Sequence, residues 1–234
     1  YQKTNFKQMK RRASILLTFI FITNWIYAQE AGTRIISSTD LTNKDEIWNL
    51  LGHGISNFQV DLMYIYGELF VTASMPDSAN HVIPSFSDAY LFPLYSNLKK
   101  NGNSIVNGDT RESYIILNIH NEFKKSNARL KKIASNLRDF ITFYNEGWYE
   151  GKISILVNKK SLMNEISKDN FTWLGVVGTP EDIDSDLDNH QMPLIEIDFS
   201  ILTSWSGIGN IPFPDFVKIK ELVNKVHQKG RKLS

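Results

Sequence analysis

Asn57-Phe-Gln-Val-Asp-Leu-Met-Tyr-Ile65, then Tyr66-Gly67, then Glu68-Leu-Phe-Val-Thr-Ala73 is the stretch whose reading decides the fold. The first run reads as a strand, Tyr66-Gly67 as a turn, and Glu68 to Ala73 as the returning arm of a hairpin. Side chains on a strand alternate between faces, so Gln59 and Asp61 share one face while Phe58, Val60 and Leu62 take the other. Working outward, the same arrangement recurs. Tyr114 to His120 puts Asn118 and His120 on one face, Ile153 to Asn158 does so with Ser154 and Asn158, and a strand over Leu194 to Ser200 would do so with Glu196 and Asp198. Each of these strands thereby projects polar groups to one side near its carboxyl end.

Between these runs the sequence alternates toward helical periodicity. Arg34-Ile35-Ile36 reads as a first short strand, and Thr42-x-x-Asp45 as a helix N-cap box ahead of Ile47, Leu50 and Leu51, with Gly52 and Gly54 as stops. Helices are expected over Ala89 to Lys100, along the stripe Leu130, Ile133, Leu137, Phe140, Ile141 and Tyr144, and around Leu162 to Ile166. Trp173 to Val177 is a further strand. Phe216, Ile219, Leu222, Val223 and Val226 mark a last helix ended by Gly230, and Arg231 to Ser234 begins another strand. Strict alternation of strand and helix implies parallel pairing, in either a doubly wound sheet or a (β/α) barrel of the TIM type. A doubly wound sheet gathers ligands at its switch point. A barrel brings all the polar strand ends to one mouth, which makes it the expected fold.

Lys and Arg number 26 against 25 Asp and Glu, an apparent neutrality that is not uniform. The first 28 residues carry Lys3, Lys7, Lys10, Arg11 and Arg12 and no acid; subtracting these five from 26 leaves 21 basic against 25 acidic groups, a charge of −4. Met9-Lys-Arg-Arg12, an apolar run to Tyr27 and Ala28 form the three parts of a secretory signal peptide, 9–28, with cleavage expected after Ala28. Its apolar run is shorter than the roughly 20 residues that span a bilayer. The expectation is export to a periplasmic or extracellular location, with membrane contact only through this segment. Residues 1–8 precede Met9 and read as upstream sequence or an artefact, and residues 29–234 as one domain. The lack of cysteine excludes disulfides, cysteine nucleophiles and cysteine-bound metals. Neither charge balance supplies the excess of Lys and Arg that nucleic-acid binding requires.

Several segments resemble the phosphatidylinositol-phospholipase-C-like and glycerophosphodiester phosphodiesterase superfamily. They are Arg34-Ile-Ile-Ser-Ser, Gly54-Ile-Ser-Asn-Phe-Gln-Val-Asp61, Gly67 to Ala73, Leu91-Phe-Pro-Leu-Tyr, Tyr114 to His120, Met192-Pro-Leu-Ile and Gly207-Ile-Gly-Asn-Ile-Pro212. In order they cover about 33–234. The resemblance implies a (β/α) barrel that hydrolyses phosphodiesters, here ending before strand seven is complete. In that family two histidines perform acid–base catalysis and acids on strands two and three hold a divalent metal. The corresponding positions here carry Ser38 and Ala73, Gln59 beside a retained Asp61, and Asn118 with His120. Ser and Ala exchange no proton near neutral pH, and such catalysis contributes about 10²–10⁴-fold. The inherited mechanism is therefore expected to be absent or impaired.

What remains for chemistry is Asp61 and His120, as a carboxylate and a base, or as two ligands of Ca²⁺ or Mg²⁺ completed by Glu196 or Asp198. The bland alternative is an ordinary ion pair at a strand end. Gln59, Asn118 and Trp205 are the candidates to bind a small phosphodiester or phosphosugar, with Trp205 able instead to pack as a lid. Glu181-Asp-Ile-Asp-Ser-Asp-Leu-Asp188 lacks the glycine and terminal glutamate of an EF-hand and reads as a solvated loop. Lys124, Lys125, Arg129, Lys131 and Lys132 read as the wet face of a helix. A non-catalytic module binding carbohydrate or protein at the mouth is the third reading.

Overall fold

In the computed structural model Asn57–Ile65 forms strand β2, and Glu68–Val71 returns along it as the antiparallel arm β3. Tyr66 at φ 48° and Gly67 at φ 90° make a two-residue loop with both residues in the left-handed region. That is the geometry a tight hairpin demands, and it is why glycine follows the exposed tyrosine. The structure describes residues 36–38, 44–75, 83–108, 111–158 and 171–233. The segment 1–28, the Thr42 cap and the helix expected at Leu162 to Ile166 lie outside them.

The chain is a mixed α/β protein built on a mostly parallel sheet. Strands β1 (Ile36–Ser38), β2, β4 (Ser113–Ile119), β7 (Ile153–Val157), β9 (Leu174–Gly178), β10 (Leu194–Ile195) and β11 (Lys232–Leu233) are hydrogen-bonded side by side in chain order, every pair parallel. The order contains no reversal, so the sheet has no switch point of the doubly wound kind. Nor is it closed: among the described residues β1 and β11 are its two edges.

Among the described residues the α-helices are α1 (Lys44–Gly52), α2 (Phe92–Lys100), α3 (Phe123–Ser135), α4 (Phe199–Leu202) and α5 (Phe213–Gln228). Ile47 and Leu51, Leu94 and Leu98, Leu130 and Ile133, and Val226 join one buried cluster with Phe58, Val60, Leu62, Ile115, Leu117, Ile155 and Val176. These strand residues all belong to one face of the sheet. The second buried cluster, Tyr114, Ile116, Leu156, Val177 and Leu194, contains strand residues alone and forms the other face. Burial of such side chains contributes about 1.5–3 kcal/mol each, so α1, α2, α3 and α5 are held by their apolar stripes more than by propensity, whereas the single turn α4 buries none of its residues.

Several local expectations need correction. The helix expected from Ala89 starts earlier and wider, as a π turn over Ser87–Leu91, where Ser85 and Asp88 exchange hydrogen bonds. The apolar stripe running to Tyr144 is not one helix: α3 ends at Ser135, whose hydroxyl donates to the Lys132 carbonyl and draws it from the helical ladder. Beyond it Ile141 bridges Ile153, and β5 (Phe143–Asn145) pairs with β6 (Trp148–Tyr149) and with β8 (Phe171–Thr172). Helical spacing persisted because helix and bridge bury their residues in the same core cluster. The described part of the first strand is Ile36–Ser38, and the expected start at Arg34 lies outside the described residues. The strand expected over Leu194 to Ser200 stops at Ile195, because Asp198 caps α4 and accepts from the Ser200 N–H at 2.8 Å.

Candidate functional site

The carboxyl edge of β2 and β4 brings the expected pair together. Asp61 and Asn118 are register partners, and His120 follows two residues on, on the same face. His120 Nε2 lies 2.6 Å from Asp61 Oδ1. A carboxylate only accepts, so the imidazole donates through Nε2 and presents the lone pair of Nδ1 when neutral. Both side chains are partly open to solvent, at 38% and 34%.

The backbone fixes this geometry on both sides. The His120 N–H donates to the Leu62 carbonyl at 3.0 Å, the last rung of the ladder. Asn121 then extends the ladder with its side chain: Tyr64 N–H donates to Asn121 Oδ1 at 2.7 Å, and Asn121 Nδ2 donates to the Tyr64 carbonyl at 3.0 Å. Glu122 follows with φ 41°, a left-handed residue that turns the chain into α3. Asn121 escaped the sequence reading; a polar amide between a strand end and a helix start is the signal that marks such a latch. The opposite end of the same strand pair has a matching device, Tyr114 N–H donating to Asn57 Oδ1 at 2.9 Å.

Asp61, Asn118, His120 and Asn158 line a cavity of about 340 Å³ together with Leu117, Ile119 and Val157. That volume suits a small ligand. Its polar equipment is one carboxylate, one imidazole and two amides. The site can orient one proton-transferring group and donate hydrogen bonds to an anion.

The remaining candidates fall elsewhere. Gln59, half-buried, pairs in register with Ser38 and Ile116, one step in from Asp61 toward the amino edge, and does not line the cavity. Trp205 donates its indole N–H to the carbonyls of Ile208 at 3.0 Å and Gly209 at 3.2 Å, which ties the ring to its own loop. Glu196 lies beyond the end of β10, its N–H donating to the Gly178 carbonyl. Hydrogen bonds from the Ser200 side chain and backbone hold the Asp198 carboxyl below its ordinary value. Glu196 and Asp198 therefore do not share a strand face. Among the described residues no three acidic or histidine side chains come together in a way that would hold a metal ion.

Other charged segments are engaged structurally. Asp184 pairs with Lys225 at 2.6 Å and Lys229 at 3.4 Å, and Asp188 accepts from the N–H groups of His190 and Gln191. Arg231, buried, donates to the carbonyls of Asp182, Ile183, Ser185 and Leu187, so the acidic loop is fastened from inside. Arg129 is not part of a wet basic face: it forms a two-pronged pair with Glu68 on the hairpin.

No protein-family model matches the chain, and no curated protein matches it. The class that fold and site define is a mixed α/β protein with a mostly parallel sheet and a ligand-sized cavity, carrying Asp61, His120 and two amides, at the carboxyl edge of that sheet. Among the described residues no helix is long and apolar enough to cross a membrane.

Proposed function

We propose that the chain is an exported (β/α)-barrel protein of the phospholipase-C-like phosphodiesterase superfamily, a phosphodiesterase by descent whose inherited histidine pair is replaced. In this reading its mouth binds a small phosphodiester or phosphosugar. The observation that carries it is the Asp61–His120 contact inside a cavity at the carboxyl edge of the sheet. Ligands of barrel proteins bind at that edge. The barrel itself is supported by the unreversed strand order and by the confinement of buried helix residues to one of the two core clusters.

Protonated His120 and the amides of Asn118 and Asn158 offer donors to phosphate oxygens, while Asp61 keeps the ring oriented. Hydrolysis needs more: a base for the nucleophile and an acid for the leaving group. The pair supplies one of these, and Ser38 and Ala73 stand where the family has its histidines. Binding without efficient turnover is the function this equipment supports.

The oriented imidazole favours a second reading, a relocated hydrolase assisted by a divalent cation. Hydrolysis assays on glycerophosphodiesters and an aryl phosphodiester, with and without Ca²⁺ or Mg²⁺, separate the two. The binding reading expects no turnover above background in any condition. Cation-dependent turnover abolished by Asp61→Ala establishes the relocated site instead.

A further inference from the structure

The opposite, amino edge of the sheet holds a second cavity of about 410 Å³. Loops entering β4, β7, β10 and β11 contribute to it, through Glu112, Lys152, His190 and Gly230 among others. Tyr114 and Ser154, register partners on adjacent strands, aim into it although nearly fully buried. The centre is the Glu112 carboxylate. It accepts from the Tyr114 hydroxyl at 2.6 Å, from the Ser154 hydroxyl, from Thr142 Oγ1 at 3.4 Å and from Lys232 Nζ at 3.5 Å; Lys232 Nζ also donates to the Tyr114 hydroxyl.

Closed barrels fill this level with branched apolar side chains. Burying hydroxyls and a carboxylate there costs free energy unless each is paired, and here they are paired with one another in a fixed array. Two features say what the array suits. Its charges balance, with Glu112 and Glu150 against Lys152 and Lys232, so neither a bare anion nor a bare cation is favoured. Hydroxyl, carboxylate, amide and ammonium groups line it together, and the His190 ring in its wall is held flat by stacking on the Trp148 indole at 4.9 Å, itself fixed by its N–H to Asp188 at 3.1 Å. The apolar layer of Ile116, Leu156 and Val177 lies between this cavity and the mouth.

We infer that the amino-edge cavity is a second binding site, for a small neutral polyhydroxylated molecule such as a monosaccharide or cyclitol. The hydroxyls of such a ligand both donate and accept, as a lining of carboxylates, amide and ammonium groups requires, and its apolar ring face matches His190.

The test is saturation-transfer NMR on the full chain with D-glucose, N-acetylglucosamine and myo-inositol, and with glycerol 3-phosphate as the charged comparison. At least one neutral probe is expected to bind with a Kd of about 1 mM. Glu150→Ala and Lys152→Ala, each checked for native folding by its melting transition, are expected to weaken it about tenfold. His120→Ala at the other edge should leave it unchanged. The inference is overturned if no neutral probe binds at about 10 mM, if only glycerol 3-phosphate binds, or if His120→Ala removes binding that Lys152→Ala leaves intact.

Discussion

His120 Nε2 stands 2.6 Å from Asp61 Oδ1, bridging strands that are adjacent and parallel although the residues are 59 apart in sequence. The pair is more than a third exposed on both sides, so water screens it. In a double-mutant cycle with Asp61→Asn and His120→Gln its coupling to stability is expected at about 0.2–1 kcal/mol, falling with added salt. A coupling of several kcal/mol would mean a buried, structural pair and would count against a ligand-facing role.

Asn121 is expected to matter more for position than its exposure suggests. Its amide occupies both backbone groups of Tyr64, and removing it in Asn121→Ala should cost about 1–3 kcal/mol of stability. Ligand affinity at the mouth should fall as well, because His120 is the preceding residue. Urea denaturation and a ligand titration on the same variant check both effects; a stable variant with unchanged affinity removes the latch from the account.

The hairpin is sensitive to acid through Glu68. Its hydrogen bonds with Arg129 hold the Glu68 carboxyl below its ordinary value of 4.5. A carboxyl depressed in the folded state contributes stability above its unfolded pKa and loses it as pH falls through the folded value. Stability should therefore decline below about pH 4.5, and Glu68→Gln should flatten that decline while costing about 1–2 kcal/mol at neutral pH. Denaturation midpoints of both proteins across the acid range measure the difference; parallel curves would show that Glu68 is not the group responsible.

How far the sequence could be read depended on which interactions decide an element. Alternation along Asn57–Ile65 and Tyr114 to His120 is set by a sheet with two distinct faces, so period two placed Asp61, Asn118 and His120 on one side correctly. The Asp198 region failed because one local hydrogen bond, the cap to Ser200, outweighs strand pairing over a few residues. The Leu130 to Tyr144 stripe failed because helix, turn and strand can all present apolar residues to one core at similar spacing. Asn121 and the Glu112 array were invisible for a different reason: their partners are remote in sequence, and no periodicity records them.

Arg231 ties the last strand to the acidic loop through four backbone carbonyls. Arg231→Met would leave those carbonyls without their donor and is expected to cost about 3 kcal/mol. Protease cleavage within 181–188 should accelerate in the variant; an unchanged cleavage rate would show that Arg231 is not what fastens the loop.

The central claim, that the mouth binds a phosphodiester or phosphosugar around Asp61 and His120, is tested most directly by NMR. The His120 imidazole resonances are followed during titration with glycerophosphocholine and glycerol 3-phosphate. Saturable shifts at His120, lost in Asn118→Ala and accompanied by no hydrolysis of the diester, are the predicted result. Unperturbed His120 resonances at saturating ligand, or steady conversion of the diester during the titration, would contradict it.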